Sequence, residues 1–490
     1  MSAGDLTLLL LPLAPVVQYI LNNQDILSPF DSFYVLFVFA LFVALFVLLI
    51  PILLTIVGST RTAMFLGLAF AFSITNMAAL SRQFAWFEEG DLKIQLAVFS
   101  GVLLVSWFLF HLNYQKLLYL LIAAYFLTNS VSQLLARDDG SLTTDLDGTD
   151  NKLVTLIGSK EPAVTPSVYL LVYDAYVANE TMLAYGIDNR SQEQYLEKLD
   201  FQIYPRTYSV GGTSVSTMSR VLNASVDFYG NPRKGVSGDG TVQNLLKGFG
   251  YKTYGVFASD HFGRGIVPSY DYSFPSYSSS ANTLLKAILL GEFRFTIAFD
   301  NVSREQFILE KINLFSEESE DPKFIYMHSN FPTHSQNSGA CLPNEVEFFN
   351  ERLLRANLEM RQDVETIIEN DPEAIVIVAG DHGPYLTKNC SSTGDSYDIS
   401  EISRLDLQDR FGTFLAIRWP TEDFEKFDDI TVLQDLFSAV FAYLFQDQRL
   451  LESKIEPATL EEETVSGAAV VDGMIEGGVH SGESLFTGGK

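Results

Sequence analysis

The sequence predicts an α-helical membrane domain followed by an α/β domain built on a central, mostly parallel sheet. Three observations carry this. Five long apolar stretches occupy the first 136 residues, apolar strands alternate with helical segments after them, and the run Ala374-Ile-Val-Ile-Val-Ala-Gly-Asp-His-Gly383 delivers polar residues from a buried strand.

The apolar stretches fall at about 6–22, 33–57, 63–81, 93–111 and 116–135. At a rise of about 1.5 Å per residue, most are long enough to cross a hydrocarbon core about 30 Å thick. The first lacks the basic leader and small-residue cleavage site of a removable signal, so it reads as a retained helix. Arg61 lies between the second and third stretches, and His111 and Lys116 lie between the fourth and fifth, with no acid in either connection. By contrast, the first connection carries Asp25 and Asp31, and Ser81–Lys93 has three acids against two bases. The excess of positive charge on cytoplasmic loops therefore puts connections two and four inside and everything after about residue 136 outside.

Residues 137–166 read as a linker. Beyond them, strands are predicted near 167–173, 251–258, 323–328, 374–380 and 413–419, with a helix from Asn344 to about Asn370. In that helix Val346, Phe349, Leu353 and Ala356 recur at helical spacing and should cover the sheet. Alternation of this kind is the pattern of one α/β domain, here 167–455. From 456 to 490 the composition turns to Glu, Gly, Ala and Ser, which predicts a mobile acidic tail, with Glu461-Glu462-Glu463 as solvated charge. Six acids face four bases up to residue 136, so nearly all of the net charge of −28 falls on the exterior part. Such a domain is unsuited to nucleic acid or to an anionic surface.

Chemistry-bearing residues gather at predicted strand ends. Asp381 and His382 follow the run Ala374–Gly380, and Asp174 follows Ser167–Tyr173. In open α/β sheets the reacting groups collect beyond the carboxyl ends of the strands. A hard oxygen ligand beside an imidazole suits Mn, Zn or a related divalent ion. Between these strands lies Tyr208-Ser-Val-Gly-Gly-Thr-Ser-Val-Ser-Thr-Met-Ser-Arg-Val-Leu-Asn223, a glycine-kinked turn crowded with hydroxyls and leading into a helix. Such a turn aims an oxygen at a site, where a bound metal would make it a nucleophile.

With these residues in place, the stretch from about 165 to 420 resembles the alkaline phosphatase superfamily in its sulfatase-like branch. The architecture is similar to membrane-anchored phosphoglycerol and phosphoethanolamine transferases. The resemblance implies an alkaline-phosphatase-like exterior domain in which Asp174, Ser214, Asp381 and His382 hold a divalent metal ion, Mn, Zn, Mg or Ca. Family spacing counted from Tyr208 selects Ser214 as the nucleophile, followed by Thr217 and Leu222. The Gly-Gly/Lys-Thr-Ser pattern of lipoteichoic-acid-type members selects Thr213 instead. The sulfatase signature Cys-x-Pro-Ser-Arg is absent.

The resemblance extends to the histidines. His328 closes Lys323–Met327 and His334 follows Asn330-Phe-Pro-Thr, similar to the family's strand-His-x-Pro-x-His loop, which contacts phosphoryl or sulfuryl oxygens. His261, after Tyr251–Asp260, matches the segment that carries the sulfatase Lys and His, although the Lys is missing. A lone histidine is also commonly an ordinary hydrogen-bonded residue. Arg206 and Arg220 read as structural. Cys341 and Cys390, the chain's two cysteines, both fall in the exterior part, where a disulfide is permitted and a pair of free thiols is the alternative.

The function implied is transfer of a phosphoglycerol- or phosphoethanolamine-type head group from a membrane phospholipid to an envelope glycan or glycolipid, through a Ser/Thr covalent intermediate. A sulfatase or phosphodiesterase with the same metal site is the alternative, and a non-catalytic membrane scaffold is a third reading.

Overall fold

The computed structural model describes residues 151–488 apart from 228–230, 264–265, 277–300, 336–343 and 391–396, together with isolated residues and one helix among the first 114. The chain divides into two units, Met1–Ser141 with Ser278–Phe299, and Leu142–Tyr277 with Asp300–Lys490.

In the first unit the described helix is Pro29–Val43. Phe30, Phe33, Phe37 and Leu41 are exposed along it. Among the described residues no helix is long and apolar enough to cross a membrane. The five predicted spans fall mostly outside the described residues.

The second unit is built on a seven-stranded sheet. Its strands are β1 (Val168–Tyr173), β2 (Phe201–Ile203), β3 (Lys252–Phe257), β4 (Tyr272–Phe274), β5 (Lys323–Ser329), β6 (Ile375–Ala379) and β7 (Leu415–Arg418), in the order β2-β7-β6-β1-β5-β3-β4. From β4 to β6 every pairing is parallel, and β7 runs antiparallel to both β6 and β2. The predicted mostly parallel sheet is therefore present. Two strands lay outside the prediction: β2, and β4 within the aromatic segment 270–277, both of three residues and both edge strands.

Side-chain alternation along β1 feeds two cores, one on each face. Val168, Leu170 and Val172 pack with Met218, Val221 and Leu222 of the helix Ser214–Asn223. Tyr169, Leu171 and Tyr173 pack with Phe349, Leu353, Ala356, Met360, Val364 and Ile367 of the helix Glu345–Asn370, so the apolar stripe predicted there is the one that covers the sheet. Each such aliphatic side chain contributes about 1.5–3 kcal/mol on full burial.

Two stretches differ from the sequence expectation. The linker contains a helix, Lys152–Ile157, capped by Asn151 and anchored by buried Leu153 and Ile157. The expected mobile tail is instead folded: β8 (Ala469–Val471) and β9 (Met474–Glu476) form an antiparallel hairpin. Val465, Val470, Ile475, Leu485 and Phe486 are buried there against Tyr208, Val210, Leu407 and Phe411. These residues share one small core, with Met474 and Val479 left exposed, and that core overrides a composition that reads as disordered.

Candidate functional site

Parallel pairing in register brings the ends of β1, β5 and β6 to one edge. Tyr173 lies opposite Ser329, and Val172 opposite Ala379, so Asp174, His328 and the Asp381-His382 pair emerge side by side. Glycines permit the close approach that follows. A Cβ on Gly380 would stand 1.8 Å from the Tyr176 carbonyl oxygen, and one on Gly383 would stand 1.9 Å from that of Asp409. Neither position has room for a side chain.

Within this edge the donors are held by main chain and directed at a common point. Asp381 Oδ1 accepts from the backbone N–H groups of Ala175 at 2.9 Å and His382 at 3.0 Å. The His382 ring donates from Nδ1 to the Gly383 carbonyl at 2.8 Å, which fixes the tautomer and leaves Nε2 facing the site. That Nε2 lies 3.5 Å from Asp174 Oδ1 and 3.5 Å from Asp381 Oδ2. Both of these carboxylate oxygens are buried and neither has a hydrogen-bond partner. One donor atom from each of Asp174, Asp381 and His382 lies within 4.8 Å of the others. Buried acceptors left open in this way carry a cost that a cation would remove, and two oxygens with an imidazole nitrogen form a donor set for a divalent ion such as Zn or Mn.

The electrostatics agree with crowded negative charge. Burial and then the neighbouring Asp381 push the Asp174 carboxyl up to about 7, against the pull of His382. Burial also raises Asp381, but His382 and His328 outweigh it and hold that carboxyl below the usual range. For His328, burial lowers the imidazole to about 4, opposed by Asp381.

The hydroxyl turn meets this edge at the start of the helix Ser214–Asn223. Thr213 is its N-cap, and its side chain accepts from Ser216 N at 3.3 Å. Ser209 and Thr217 are buried and bonded to one another at 2.8 Å. Ser214 comes one residue after the cap, and its Oγ lies 3.2 Å from His382 Nε2. The structure thus brings Asp174, Ser214, Asp381 and His382 together, with Thr213 beside them but its oxygen occupied by the helix end.

A cavity of about 390 Å³ opens over this set, lined by Asp174, Thr213, Ser214, His261, His328, His334 and His382. His328 is buried, with Nδ1 2.8 Å from the Tyr326 hydroxyl and Nε2 3.5 Å from Asp381 Oδ2. His334 donates from Nδ1 to the Ser335 carbonyl at 2.8 Å, and its ring centroid is 6.1 Å from that of His382. His261 packs edge-on against Phe262. Arg206 bonds the Gly488 carbonyl and Arg220 bonds Ser216 and Val226, so both act on the fold. Cys390 is buried and disulfide-bonded, whereas Cys341 lies outside the described residues.

The lining residues missed from the sequence include Arg233, Asn330 and Tyr385. Arg233 is buried and donates to the His261 carbonyl. Arg304 orients Asn330, donating to its side-chain oxygen at 2.9 Å. Tyr385 stacks on His382 with ring centroids 4.9 Å apart and planes 8° from parallel. Its place three residues after His382, in the same loop, was the available signal.

No family model matches the chain, and no curated protein matches it. Solved structures are similar to it. The integral membrane protein lipooligosaccharide phosphoethanolamine transferase A from Neisseria meningitidis shares 11% identity at a TM-score of 0.40, with 91% of this chain and 95% of that chain covered. The lipoteichoic acid synthase LtaP from Listeria monocytogenes shares 12% at 0.43, covering 65% and 83%. The C-terminal periplasmic domain of EptC from Escherichia coli, in complex with Zn, shares 14% at 0.37, covering 58% and 83%. With identities and TM-scores this low, the functional reading rests on the chain's own residues.

Proposed function

We propose that this chain is a metal-dependent enzyme of the alkaline phosphatase superfamily. In this reading it is a membrane-bound transferase that moves a phosphoglycerol- or phosphoethanolamine-type group from a phospholipid to an envelope glycan or glycolipid. The observation that carries the reading is the pair of open, buried carboxylate oxygens of Asp174 and Asp381, converging on His382 Nε2 beside the Ser214 hydroxyl. Asp174, Ser214, Asp381 and His382 would hold the ion. When bound, it would supply positive charge that favours the serine alkoxide and a developing nonbridging oxyanion.

Ser214 Oγ is then the nucleophile. It forms a bond to phosphorus as the diacylglycerol oxygen leaves, and the serine proton departs with that alcohol. An acceptor hydroxyl next displaces Ser214, which recovers a proton from it. His334 and His328 bind the transferred group, and His261 and Arg233 line the same cavity. The cavity is of a size suited to a polar head group. Exposed Phe30, Phe33, Phe37 and Leu41 on the helix Pro29–Val43 support a lipid-embedded N-terminal unit.

Ser214→Ala should lower turnover by roughly 10³-fold or more, with labelled phospholipid marking the 208–220 peptide only in the parent. Water as acceptor, with free sulfate or a free phosphomonoester as product, would move the assignment to a hydrolase. Full activity in both Ser214→Ala and Thr213→Ala, with no labelled enzyme, would overturn the covalent mechanism. A reporter fused after residue 140 should be active only outside the cytoplasm, and a cytoplasmic signal would overturn the topology.

A further inference from the structure

We infer that the C-terminal segment is part of the catalytic apparatus, with Glu463 as the residue that positions the nucleophile turn. The inference rests on Ser214 being that nucleophile. Glu463 lies more than two hundred residues beyond the turn in sequence, yet its carboxylate accepts from the Gly212 N–H at 2.5 Å and from the Ser216 hydroxyl. These two residues flank Thr213-Ser214 on either side. Each carboxylate oxygen takes one bond, Oε2 from Gly212 and Oε1 from Ser216, so one side chain bridges both ends of the short segment that presents the serine.

Two further contacts hold that segment. Arg220 Nη1 donates to Ser216 Oγ at 2.6 Å, which leaves the serine hydroxyl proton for Glu463. The Gly212 carbonyl accepts from the Tyr385 hydroxyl. Gly212 is therefore held at its N–H by the C-terminal segment and at its carbonyl by the loop after β6. A Cβ at this position would stand 2.3 Å from Arg410 Nε, so the backbone is confined from a third side.

Glu463 is itself anchored. The segment before it joins the turn through Leu460 N to the Val210 carbonyl at 2.9 Å, and the Tyr208 hydroxyl donates to the Pro457 carbonyl at 2.5 Å. Val465, Val470 and Ile475 bury the segment after it. Composition alone reads this stretch as solvent-exposed acid, but its placement makes Glu463 a brace on residues whose oxygen must sit within reach of His382 Nε2.

Small displacements of a reacting group cost rate more than binding. In the full-length protein with its metal, Glu463→Ala should therefore lower kcat by about 10- to 100-fold on vesicles of labelled phosphatidylglycerol or phosphatidylethanolamine, with KM within about threefold. Metal content should stay at the parental level, and amide hydrogen exchange in the 208–220 peptide should quicken. Glu463→Gln keeps one acceptor oxygen but offers an amide where the second was, so it should fall between the parent and Glu463→Ala. Parental kcat and exchange in Glu463→Ala, beside an inactive Ser214→Ala, would overturn this inference alone. Loss of kcat in step with metal and folded protein would overturn it too, since that marks a purely structural role. Retained activity in Ser214→Ala would sink the serine reading and this inference with it.

Discussion

Asp381 and Ser214 face the same imidazole nitrogen but are held there differently. Asp381 follows β6 and is fixed by backbone N–H groups, one its immediate neighbour's and one at the end of the adjacent β1. Ser214 sits on a turn whose flanking groups are braced by side chains from Glu463 and Tyr385, on two separate segments. The first arrangement inherits the rigidity of a sheet buried on both faces. The second depends on a few hydrogen bonds at its margins, so it can loosen while the sheet edge stays intact. Damage at the strand ends should therefore remove the metal, whereas damage at the braces should spare the metal and slow the chemistry.

The sharpest break is Asp381→Asn. An amide oxygen can still accept from Ala175 and His382, so the strand end keeps its hydrogen bonds while the open Oδ2 becomes an NH₂ group. Metal should be lost and turnover should fall by roughly 10⁴-fold or more, with little change in the unfolding midpoint. Metal analysis beside thermal unfolding checks this. Parental metal occupancy in an inactive variant would remove Asp381 from the donor set and blur the contrast between the two regions.

The same contrast explains what was legible in the sequence. The five strands predicted for the sheet are all present, because continuous runs such as Val168–Tyr173 and Ile375–Ala379 are buried on both faces and show it in their composition. Asp174, Asp381 and His382 were legible with them, since a polar residue at such a strand end has only one edge to occupy. Spacing from Tyr208 favoured Ser214 over Thr213, but the difference in their surroundings was not legible: Thr213 caps the helix and Ser214 follows the cap. Glu463 left no local trace: its role arises from the fold of Val465–Phe486 onto Tyr208 and Val210, a long-range packing event in a stretch with few apolar residues. The edge strand Tyr272–Phe274 was hidden for a related reason, as three half-exposed residues gain their strand character only from β3 alongside.

Tyr385→Phe probes the link between the two regions. The ring should remain stacked on His382, so the imidazole keeps its orientation. Loss of the hydroxyl removes a partner from the buried Gly212 carbonyl, a change worth about 1–3 kcal/mol. About a tenfold fall in kcat at unchanged metal content is expected, measured by steady-state kinetics and metal analysis. A matching loss of metal would show that the turn and the strand ends respond as one unit.

Thr213→Ala should have the smallest effect, and it separates the two candidate oxygens. The Thr213 side chain accepts from Ser216 N at 3.3 Å, and its loss as an N-cap should cost about 1 kcal/mol of stability. Ser216 remains tied to Glu463 and Arg220, so the helix start should hold its position. Turnover should therefore stay within about fivefold of the parent, a change of about 1 kcal/mol in the barrier. Label from the phospholipid should still appear on the 208–220 peptide, at Ser214. If Thr213→Ala instead lost turnover as completely as Ser214→Ala, and the label in the parent mapped to Thr213, the cap residue would be the nucleophile. A hydroxyl oxygen has two lone pairs, so the one not taken by the Ser216 N–H would then attack phosphorus.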